Sequence, residues 1–444
     1  MQRFLYSSLY YLLTPLLFLR LLLKHQKSAD YKTLRQPLRL AERLGIFTQP
    51  LFALVRQPVW IHTVSVGEFL ATRPLINKLL EDYPDYPLVI TCTTTTGSAQ
   101  ILKTFAQEIA QQRIFHCYLP YDLPGSIRRF LNRTNPSLGL IMETEIWPNL
   151  LLECERRKLP VWLLNARMSA RSAKGYARFG RLTKNTLQKF TGIAAQDVLD
   201  AGRLKELGAD ENTLHITGSI KFDIKVQPED LAAGQALRWQ LHWQTKMVLV
   251  AASTHKGEDK QILEIFQNLR VKHPELVLLV VPRHPERFQS VYQMLSENAM
   301  GLTTIKRTEI ASASAIEQTI SPDILLGDSM GEMMHYFACS DLVFMGGTLV
   351  PVGGHNILEP AALELPIVYG PHIFNFYAIN ELFLQYQAAR QVQDTTELEQ
   401  VLDSLLSDKE ERNGLAEKAH QLIEQNAGAL DKIMALIKPY FDNK

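Results

Sequence analysis

The chain has 444 residues, a formal net charge of +1 and 46% hydrophobic residues. A chain of this length is expected to form two domains, each large enough to bury its own core. The near-neutral charge argues against a nucleic-acid-binding protein, which normally carries a strong basic excess. The four cysteines are far apart and lack metal-ligand spacing, so neither a structural disulfide nor a zinc site is expected.

The N-terminus is unusually apolar. Residues 4–23 read FLYSSLYYLLTPLLFLRLLL, with the single charge Arg20 near the end. This length is about that of one membrane span, and no small-residue cleavage site follows it. The pattern predicts a retained membrane-anchor helix over residues 1–23, kinked at Pro15. It leaves open whether the helix spans the membrane or lies in its interface.

The segment after the anchor is basic. Residues 24–56 contain seven Lys/Arg and two Asp/Glu, a net charge of 7 − 2 = +5. This excess predicts a position on the cytoplasmic, anionic face of a membrane. Arg35, Arg39 and Arg43 recur every four residues, as on one stripe of a helix. They would contact lipid phosphates or form a solvated basic face, and the pattern does not separate the two.

From residue 58 onward, short apolar runs alternate with helical patterns. The first series of predicted strands is 59–66, 88–92, 114–119, 138–142, 161–164, 192–195 and 214–217. The second series is 248–252, 276–281, 302–305, 324–326, 342–345 and 367–369. Strands that alternate with helices at this spacing indicate parallel βαβ units, so the predicted fold class is α/β with two Rossmann-like domains.

The domain boundaries follow from these two series. Residues 24–225 form the predicted N-terminal domain, and 226–395 the predicted C-terminal domain. In the GT-B architecture, which such a pair resembles, the first would bind the acceptor and the second the nucleotide-sugar. Residues 396–444 are predicted to be C-terminal helices that pack back across the first domain. Two such domains facing across a cleft make the architecture called GT-B, although fold alone does not give function.

The stretch 341–366, DLVFMGGTLVPVGGHNILEPAALELP, predicts a strand, a glycine-rich loop and a helix over 357–365. Four glycines would let backbone N–H groups approach a phosphate closely: Gly346, Gly347, Gly353 and Gly354. Asn356 would cap the helix, and Glu359 would accept hydrogen bonds from neutral hydroxyls such as those of a ribose. The plainer alternative is an ordinary strand-to-helix turn.

Other residues of the second domain follow predicted strands. Arg283 comes directly after one strand, where its guanidinium would bind a phosphate; the alternative is a surface ion pair with Glu286. Ser253 or Thr254 would also reach a phosphate. A second backbone anion site, or merely a tight turn, is predicted at three consecutive residues: Met330, Gly331 and Glu332.

In the first domain, Glu68 begins a helix after the first predicted strand. A carboxylate there can accept a proton from an attacking hydroxyl, although a first-turn Glu is also favoured by the helix dipole alone. His62 and Ser65 lie nearby, but the stretch lacks the GxSxG pattern of a nucleophile elbow, which argues against a serine hydrolase.

Two further charged groups follow predicted strands of this domain. Glu143 and Glu145 flank a turn, and one of them is expected to point into the cleft, unless both cap the following helix. Lys221 lies beyond the last strand, where it would stabilise an anion or be an ordinary surface lysine.

Seven motifs, in this order, resemble those of the 3-deoxy-D-manno-octulosonic acid (Kdo) transferases: HTVSVGE, METEIWPN, LNARMSARS, TGSIKFD, STHKGE, VPRHPERF and GGHNILEPA. The resemblance covers nearly the whole chain after the anchor. It implies an inverting, metal-independent GT-B enzyme without a cofactor, which moves Kdo from CMP-Kdo to the lipid A precursor (lipid IVA). It also implies a location at the cytoplasmic side of the cell inner membrane.

The same resemblance implies roles for individual residues. Glu68 would be the catalytic base, and Glu143 and Lys221 would support the transition state. The implied donor contacts are Pro282, Arg283, Met330, Gly331, Glu332, Asn356, Ile357, Leu358 and Glu359. Two other functions stay open: a GT-B enzyme that uses a UDP-sugar on a lipid acceptor, and a non-catalytic, membrane-tethered sensor of nucleotide-sugars.

Overall fold

The computed structural model describes residues 2–27, 39–47, 56–298, 300–312 and 321–442. The chain divides into two compact units. Unit 1 contains Met1–Asp223 together with Ala427–Lys444, and unit 2 contains Ile224–Asn426. Unit 1 is therefore discontinuous in sequence.

Unit 1 is built on a seven-stranded parallel sheet in the order β3-β2-β1-β4-β5-β6-β7. Its strands are β1 (Val59–His62), β2 (Leu88–Cys92), β3 (Ile114–Tyr118), β4 (Leu138–Met142), β5 (Val161–Ala166), β6 (Gly192–Ala195) and β7 (Leu214–Ile216). Its helices are α1 (Gln2–Lys27), α2 (Val66–Asp82), α3 (Thr95–Thr104), α4 (Ala106–Ala110), α5 (Pro124–Thr134), α6 (Pro148–Arg156), α7 (Ala170–Ala177), α8 (Gly180–Leu187) and α9 (Val198–Glu206).

The central strands of this sheet are buried along their whole length because helices cover both faces. Val59 and Ile61 of β1 belong to the core on one face, whereas Trp60 belongs to the core on the other. Side chains of a strand alternate between faces, so a strand covered on both sides reads as a continuous apolar run. This explains why the sequence revealed the strands of unit 1.

Unit 2 contains a second seven-stranded parallel sheet, in the order β10-β11-β9-β8-β12-β13-β14. Its strands are β8 (Met247–Thr254), β9 (Leu276–Pro282), β10 (Thr304–Lys306), β11 (Ile324–Leu326), β12 (Leu342–Met345), β13 (Ile367–Tyr369) and β14 (Arg390–Gln391). Its helices are α10 (Pro228–Gln240), α11 (Glu258–Lys272), α12 (Phe288–Glu297), α13 (Arg307–Ser312), α14 (Met333–Ala338), α15 (Leu358–Ala362), α16 (Tyr377–Gln385), α17 (Thr395–Ser407) and α18 (Lys409–Asn426).

The predicted α/β class with two Rossmann-like halves is confirmed, and the differences are local. β1 ends at His62 rather than at residue 66, because Ser65 already caps α2. The helix predicted over 357–365 has only the five residues of α15. β14 was not predicted, since a strand of two residues leaves no pattern.

The C-terminal segment is shared between the units. After α18, the chain returns to unit 1 as α19 (Ala429–Ile437) and α20 (Pro439–Asp442). The Asp223 carboxylate accepts hydrogen bonds from the backbone N–H groups of Gly428 at 2.5 Å and Leu430 at 2.6 Å. Phe441 stacks on Tyr83 with ring centroids 3.9 Å apart. These contacts attach the last two helices to unit 1, which contains the N-terminal part of the chain.

Helix α1 packs along unit 1 through one stripe. The Ser7 hydroxyl forms a hydrogen bond of 3.1 Å with the Asn149 side chain. The rings of Tyr10 and Phe18 pack against the Tyr121 ring, with centroid distances of 6.4 and 5.5 Å. Thr14, between them, is buried. Many large apolar side chains of the helix are exposed, among them Phe4, Leu12 and Leu16. Residues 2–21 of this helix are long and apolar enough to cross a membrane, with a mean hydropathy of 1.3, by length and composition alone.

The prediction of an arginine stripe on a helix after the anchor is wrong for Arg39 and Arg43, the two of its residues that the structure describes. Residues 39–47 form a turn with a short 3-10 helix, Glu42–Leu44, and Arg35 lies outside the described residues. Arg43 is buried, and the guanidinium groups of Arg39 and Arg43 lie over the Tyr118 ring at 4.5 and 4.1 Å. Both arginines therefore stabilise the fold rather than face lipid phosphates.

Candidate active site

The proposed catalytic residues lie where the strand order of unit 1 reverses. β1 pairs with β2 on one side and with β4 on the other. The loops that leave neighbouring strands at such a point diverge and open a crevice at the carboxyl ends of the strands. Glu68 follows β1 and Glu143 follows β4, so the sheet brings the two predicted carboxylates to the same crevice.

Glu68 is held by the first turn of α2. Ser65 is the N-cap residue, and its hydroxyl accepts a hydrogen bond from the Glu68 N–H at 3.4 Å. The Glu68 carboxylate accepts hydrogen bonds from the Val64 N–H at 2.7 Å and from the Ser65 hydroxyl at 3.1 Å. This reciprocal arrangement resembles a capping box, and it fixes the carboxylate at one position.

The surroundings of Glu68 favour its protonated form. Burial, opposed by the Val64 hydrogen bond and assisted by the charges of Glu143 and Glu145, raises the pKa of Glu68 from 4.5 to about 7. A general base works best when its pKa lies near the working pH, because it is then ionised in part and still basic. A carboxylate that only stabilised the helix dipole would gain nothing from such a shift.

Glu143 and Lys221 form an ion pair beside Glu68. Glu143 has a positive φ of 60°, and its N–H donates to the Leu164 carbonyl, which continues the pairing of β4 with β5. Its Oε1 lies 2.9 Å from the Lys221 ammonium. Glu145 instead accepts a hydrogen bond from the Trp147 indole N–H at 2.6 Å. Of the two predicted carboxylates, Glu143 is thus the one paired with the cation.

Asn165 positions Lys221, a role that the sequence did not suggest. Lys221 lies in the 3-10 turn Ile220–Phe222 after β7. The buried Asn165 side chain accepts a hydrogen bond from the Ile220 N–H at 3.1 Å, which ties this turn to the end of β5. The motif LNARMSARS contains Asn165, but nothing in its pattern identifies a partner 55 residues away.

His62 contributes no catalytic group. It is fully buried, and its Nδ1 lies 2.9 Å from the Thr91 hydroxyl. Burial lowers the pKa of His62 to about 3. Ser65 is committed to capping α2, which is consistent with the rejection of a serine hydrolase.

The order of the second sheet also reverses, at β8, which pairs with β9 and β12. Three loops leave the strands at this point: STHKGE after β8, RHPERF after β9 and the glycine-rich loop after β12. The predicted donor residues Pro282, Arg283 and Asn356 lie on or next to these loops. The crevice of unit 2 is therefore where the sequence placed the nucleotide.

The glycine-rich loop does not offer its first amides to a ligand, contrary to prediction. The fully buried Glu258 carboxylate accepts hydrogen bonds from the N–H groups of Gly347 at 2.7 Å, Thr348 at 3.0 Å and Leu349 at 3.0 Å. The N–H groups of Gly353 and Gly354 donate to the Gly347 carbonyl at 3.1 and 2.9 Å. The loop thus holds an anion, but that anion is part of the protein.

The residues that follow the glycines fit the prediction better. The Asn356 side chain accepts a hydrogen bond from the Leu358 N–H at 3.2 Å, so it caps the first turn of α15. Ile357 and Leu358 are buried, which leaves their backbone as the part available to a nucleotide. Glu359 is half-buried in the same turn.

Arg283 is exposed at the end of β9, and Pro282, the last residue of that strand, is buried. Among the described residues no ion pair of Arg283 is found; Glu286 instead lies 3.9 Å from His284. The alternative of a surface pair with Glu286 is therefore wrong. Thr254 is fully buried and donates to Asp259 at 2.7 Å, so it is not available to a phosphate.

The predicted backbone site at Met330, Gly331 and Glu332 is a turn with a structural ion pair. Gly331 has a φ of 90° and nothing lies within 4 Å of a Cβ built on it, while the Met330 side chain is exposed. The Glu332 carboxylate pairs with Arg307 at 3.0 Å and is bonded by the Ser329 hydroxyl. Any ligand contact there would come from Met330 and Gly331 rather than from Glu332.

The described residues contain no group of three or more His, Cys, Asp or Glu side chains that could hold a metal ion. The metal-independent reaction implied by the resemblance stays a prediction. Among the predicted site residues, the cations that could stabilise developing charge are Lys221 in unit 1 and Arg283 in unit 2.

Comparison with known proteins decides the family. A family model described as 3-Deoxy-D-manno-octulosonic-acid transferase (kdotransferase) matches residues 38–224. A 3-deoxy-D-manno-octulosonic acid transferase of Haemophilus influenzae is 38% identical over 443 residues, covering 100% of this chain and 99% of the relative. The chain belongs to the Kdo transferase family.

This Kdo transferase has further relatives. The 3-deoxy-D-manno-octulosonic acid transferase of Bordetella pertussis is 34% identical over 432 residues, covering 96% of this chain and 97% of the relative. The structure of a glycosyltransferase from Rickettsia africae aligns with a TM-score of 0.50 at 14% identity, covering 88% of this chain and 100% of its own. That likeness shows the fold alone. The predicted family and the predicted class, a glycosyltransferase, are confirmed.

Proposed function

We propose that this Kdo transferase moves Kdo from CMP-Kdo to the lipid A precursor lipid IVA, with inversion at the anomeric carbon. The observation that carries the proposal is the Glu68 carboxylate at the crevice of unit 1, whose pKa is raised to about 7. An acceptor hydroxyl must lose a proton as it attacks, and the raised pKa of Glu68 supports a role as the group that accepts it.

The pair of Glu143 and Lys221 supports this base. Its carboxylate raises the pKa of Glu68, which keeps the base strong, while its ammonium is a cation that could meet a substrate anion. Because Lys221 is already paired with Glu143, its role is to hold Glu143 in place as well as to meet a substrate anion. Removal of either partner would alter the electrostatics at Glu68.

The donor is expected to bind in unit 2. When CMP leaves, negative charge develops on its phosphate, and Arg283 is the exposed guanidinium at the carboxyl ends of the strands. Asn356 to Glu359 would contact the nucleoside, with Glu359 accepting hydrogen bonds from the ribose hydroxyls. Met330 and Gly331 would add backbone contacts.

The membrane contact proposed for the anchor is the exposed face of α1. Phe4 and Leu12 are 73% exposed and Leu16 is 60% exposed. Contacts with unit 1 run from Ser7 to Phe18, so the middle part of the helix is packed along the protein. A helix packed in this way is suited to lie in the membrane interface with its apolar face in lipid rather than to cross the bilayer.

A basic segment adjoins this helix. α1 contacts α8, and residues 167–189, which include α7 and α8, contain seven Lys/Arg and no Asp or Glu. Its exposed cations are Arg167, Arg171, Lys174, Arg178, Arg181 and Lys184. Cations next to an apolar helix attract the anionic lipids of a cytoplasmic leaflet. This combination supports the proposed location at the cytoplasmic side of the inner membrane.

The proposal is tested by incubating the full chain with CMP-Kdo and lipid IVA and measuring product mass. Addition of Kdo mass to the lipid, with release of CMP, is the expected result. Thermal protection by CMP but not by UDP is expected as well, and preferential protection by UDP would favour a UDP-sugar enzyme. Protection by CMP without any transfer by the intact chain would favour a sensor.

A further inference from the structure

Three histidines, none of them assigned a function above, meet at the crevice of unit 2. His255 follows β8, His284 follows β9, and His355 belongs to the glycine-rich loop after β12. The Nε2 atoms of His255 and His355 are 2.9 Å apart, and their rings are stacked with centroids 5.1 Å apart and planes 5° from parallel. The His284 ring meets His255 edge to face at 5.2 Å.

The short contact between His255 and His355 fixes their protons. Two imidazole nitrogens at 2.9 Å form a hydrogen bond only if one carries a proton and the other offers a lone pair. Two protonated nitrogens would repel each other at that distance. The pair can therefore accept one further proton at a ring nitrogen outside the contact, and it can do so without breaking the shared hydrogen bond.

The charges around the pair keep it neutral in the free protein. Burial lowers the pKa of both rings, that of His355 to about 4. Interactions with His284 and Arg283, and at His255 also with Arg287, lower the pKa further, while Asp259 opposes this shift at His255. The Glu286 carboxylate lies 3.9 Å from His284, and the carboxylates of Glu258 and Asp259 are already occupied. Asp259 is bonded by Arg287 and by Thr254, and Glu258 accepts four backbone N–H groups, from His255 and residues 347–349.

An anion that binds in this crevice would change that balance. Arg283 is exposed next to His284, whereas the first amides of the glycine-rich loop are taken by Glu258. A phosphate at Arg283 would bring negative charge close to two neutral rings, and nearby negative charge favours the imidazolium form. A Cβ at Gly347 would lie 3.0 Å from His355 Nε2 and 3.3 Å from His255 Cδ2, so the pair is packed directly against the loop.

We propose that His255 and His355 form a proton-accepting pair, which takes up one proton from solvent when the donor phosphate binds beside Arg283. The proton adds to a free ring nitrogen, no other bond forms or breaks, and the proton returns to solvent when CMP leaves. The phosphate is then held by an imidazolium as well as by a guanidinium. This inference rests on the proposed function, since it takes the phosphate of a cytidine nucleotide as the ligand.

The direction of the pH dependence follows from linkage. Between the pKa of the free pair and its higher value in the complex, the complex holds more protons than the free protein. Affinity therefore increases as pH falls through that window, by at most about tenfold per pH unit for one linked proton. Glu258 and Asp259 keep their hydrogen-bond partners in the free protein and in the complex, and the arginines stay charged in both. The change in bound protons therefore comes from the histidine pair.

Calorimetry of the full chain at neutral pH, in two non-phosphate buffers of different ionisation enthalpy, tests the inference. The probe is the 5′-methyl ester of CMP, because a phosphodiester does not titrate near neutral pH and any proton taken up must go to the protein. Proton uptake is expected for the wild type and for His420→Gln, a control outside the three loops. It should be lost in the double variant His255→Gln, His355→Gln, which keeps polar side chains but cannot gain charge.

The outcomes separate this inference from the proposed function. Binding of the ester without proton uptake would overturn the histidine pair and leave the donor site intact. Uptake retained by a folded double variant would also overturn it, because the proton would then go elsewhere, for example to His284. Failure of both CMP and the ester to bind would overturn the donor site itself.

If the double variant does not fold, a measurement on the wild type alone still tests the proposal. Long-range proton–nitrogen NMR spectra report the protonation of each imidazole. Addition of the ester should convert one neutral histidine signal to the imidazolium pattern. Unchanged histidine signals in the saturated complex would contradict the proposal.

Discussion

At the scale of single residues, the reactivity of the protein depends on how much water each charged group keeps. Glu68 loses much of its water, and Glu143 and Glu145 add negative charge, so it holds its proton up to about pH 7. Glu258 loses all of its water yet is met by four backbone N–H donors. The first arrangement gives a base, and the second gives a structural anion.

Glu68→Gln should leave binding almost intact and slow Kdo transfer. Glutamine keeps the size of the side chain and can still accept from the Val64 N–H, but it cannot accept a proton. Loss of a general base typically costs about 10² to 10⁴ in rate. Transfer rate and CMP affinity measured on the same preparation test this expectation. Near-normal turnover by this variant would leave Glu143 as the next candidate.

The pH profile of kcat/KM should fall on the acid side with a midpoint near pH 7. Only ionised Glu68 can act as a base, so the rate should fall about tenfold per pH unit below its pKa. Folding has the opposite dependence. Because the pKa of Glu68 is raised on folding, its contribution to stability grows as pH falls from about 7 to 4.5. The Tm of the wild type relative to Glu68→Gln should therefore be more favourable at pH 5.5 than at pH 8.

Arg283→Ala should weaken CMP binding specifically. Its guanidinium is exposed at the crevice of unit 2, and a hydrogen bond to a charged group is worth about 1 to 3 kcal/mol, or roughly 5- to 150-fold in affinity. Lys260→Ala removes a positive charge from the exposed surface of α11 and serves as the matched control. Equal CMP affinity of the two variants in calorimetry would show that the phosphate binds elsewhere.

The site shows which residues can be inferred from sequence. Glu143 and Arg283 each follow a strand directly, and Glu68 lies in the first turn of the helix after β1. A strand, turn and helix make a local pattern that periodicity detects. Glu258 contacts Gly347, which lies 89 positions further along the chain. No local pattern distinguishes a glycine-rich loop that waits for a phosphate from one already closed on a carboxylate of the same chain.

At the scale of elements, the sequence revealed strands best where helices cover both faces of a sheet. It placed β2, β4, β12 and β13 to the residue, because their apolar runs end abruptly at polar turns. It extended β1 by four residues, since Thr63 and Val64 continue a strand-like pattern. The strand ends early because Ser65 caps the first turn of α2, and this turn places Glu68 at the crevice.

The triple substitution Phe4→Ser, Leu12→Ser and Leu16→Ser in α1 should reduce membrane binding without unfolding unit 1. These side chains are 73%, 73% and 60% exposed, so the fold loses few contacts, whereas burial of each in lipid is worth about 1.5 to 3 kcal/mol. Sedimentation with anionic vesicles measures the loss. Ser8→Ala, on the exposed surface of the same helix, is the control.

Extraction separates the two modes of attachment. A helix in the interface should be released from membranes by alkaline carbonate, whereas a spanning helix should stay. Retention of the wild type after carbonate, or unchanged vesicle binding by the triple variant, would contradict interfacial attachment through this face.

At the scale of the whole molecule, unit 1 is closed by residues that come after unit 2. Deletion of residues 427–444 should expose the apolar surface that Ile433, Met434 and Phe441 cover. It should also leave the Asp223 carboxylate without its two N–H donors. Hydrogen exchange should then increase across unit 1, while CMP binding to unit 2 should survive.

A milder variant controls for this deletion. Asp223→Asn keeps the tail but weakens its attachment, so it should show a smaller increase in exchange within unit 1. Equal protection of unit 1 in the deleted and intact chains would show that the tail does not stabilise it.

The order of synthesis gives this discontinuity a further consequence. A ribosome releases all of unit 2 before the residues that cover one face of the first sheet emerge. During that interval unit 1 carries an uncovered apolar surface, and α1 is already outside the ribosome with an apolar face of its own. A nascent chain with two such surfaces is a natural substrate for chaperones and for early delivery to the membrane. Premature termination within the last 18 codons would yield a protein whose nucleotide-binding half is complete and whose other half is not.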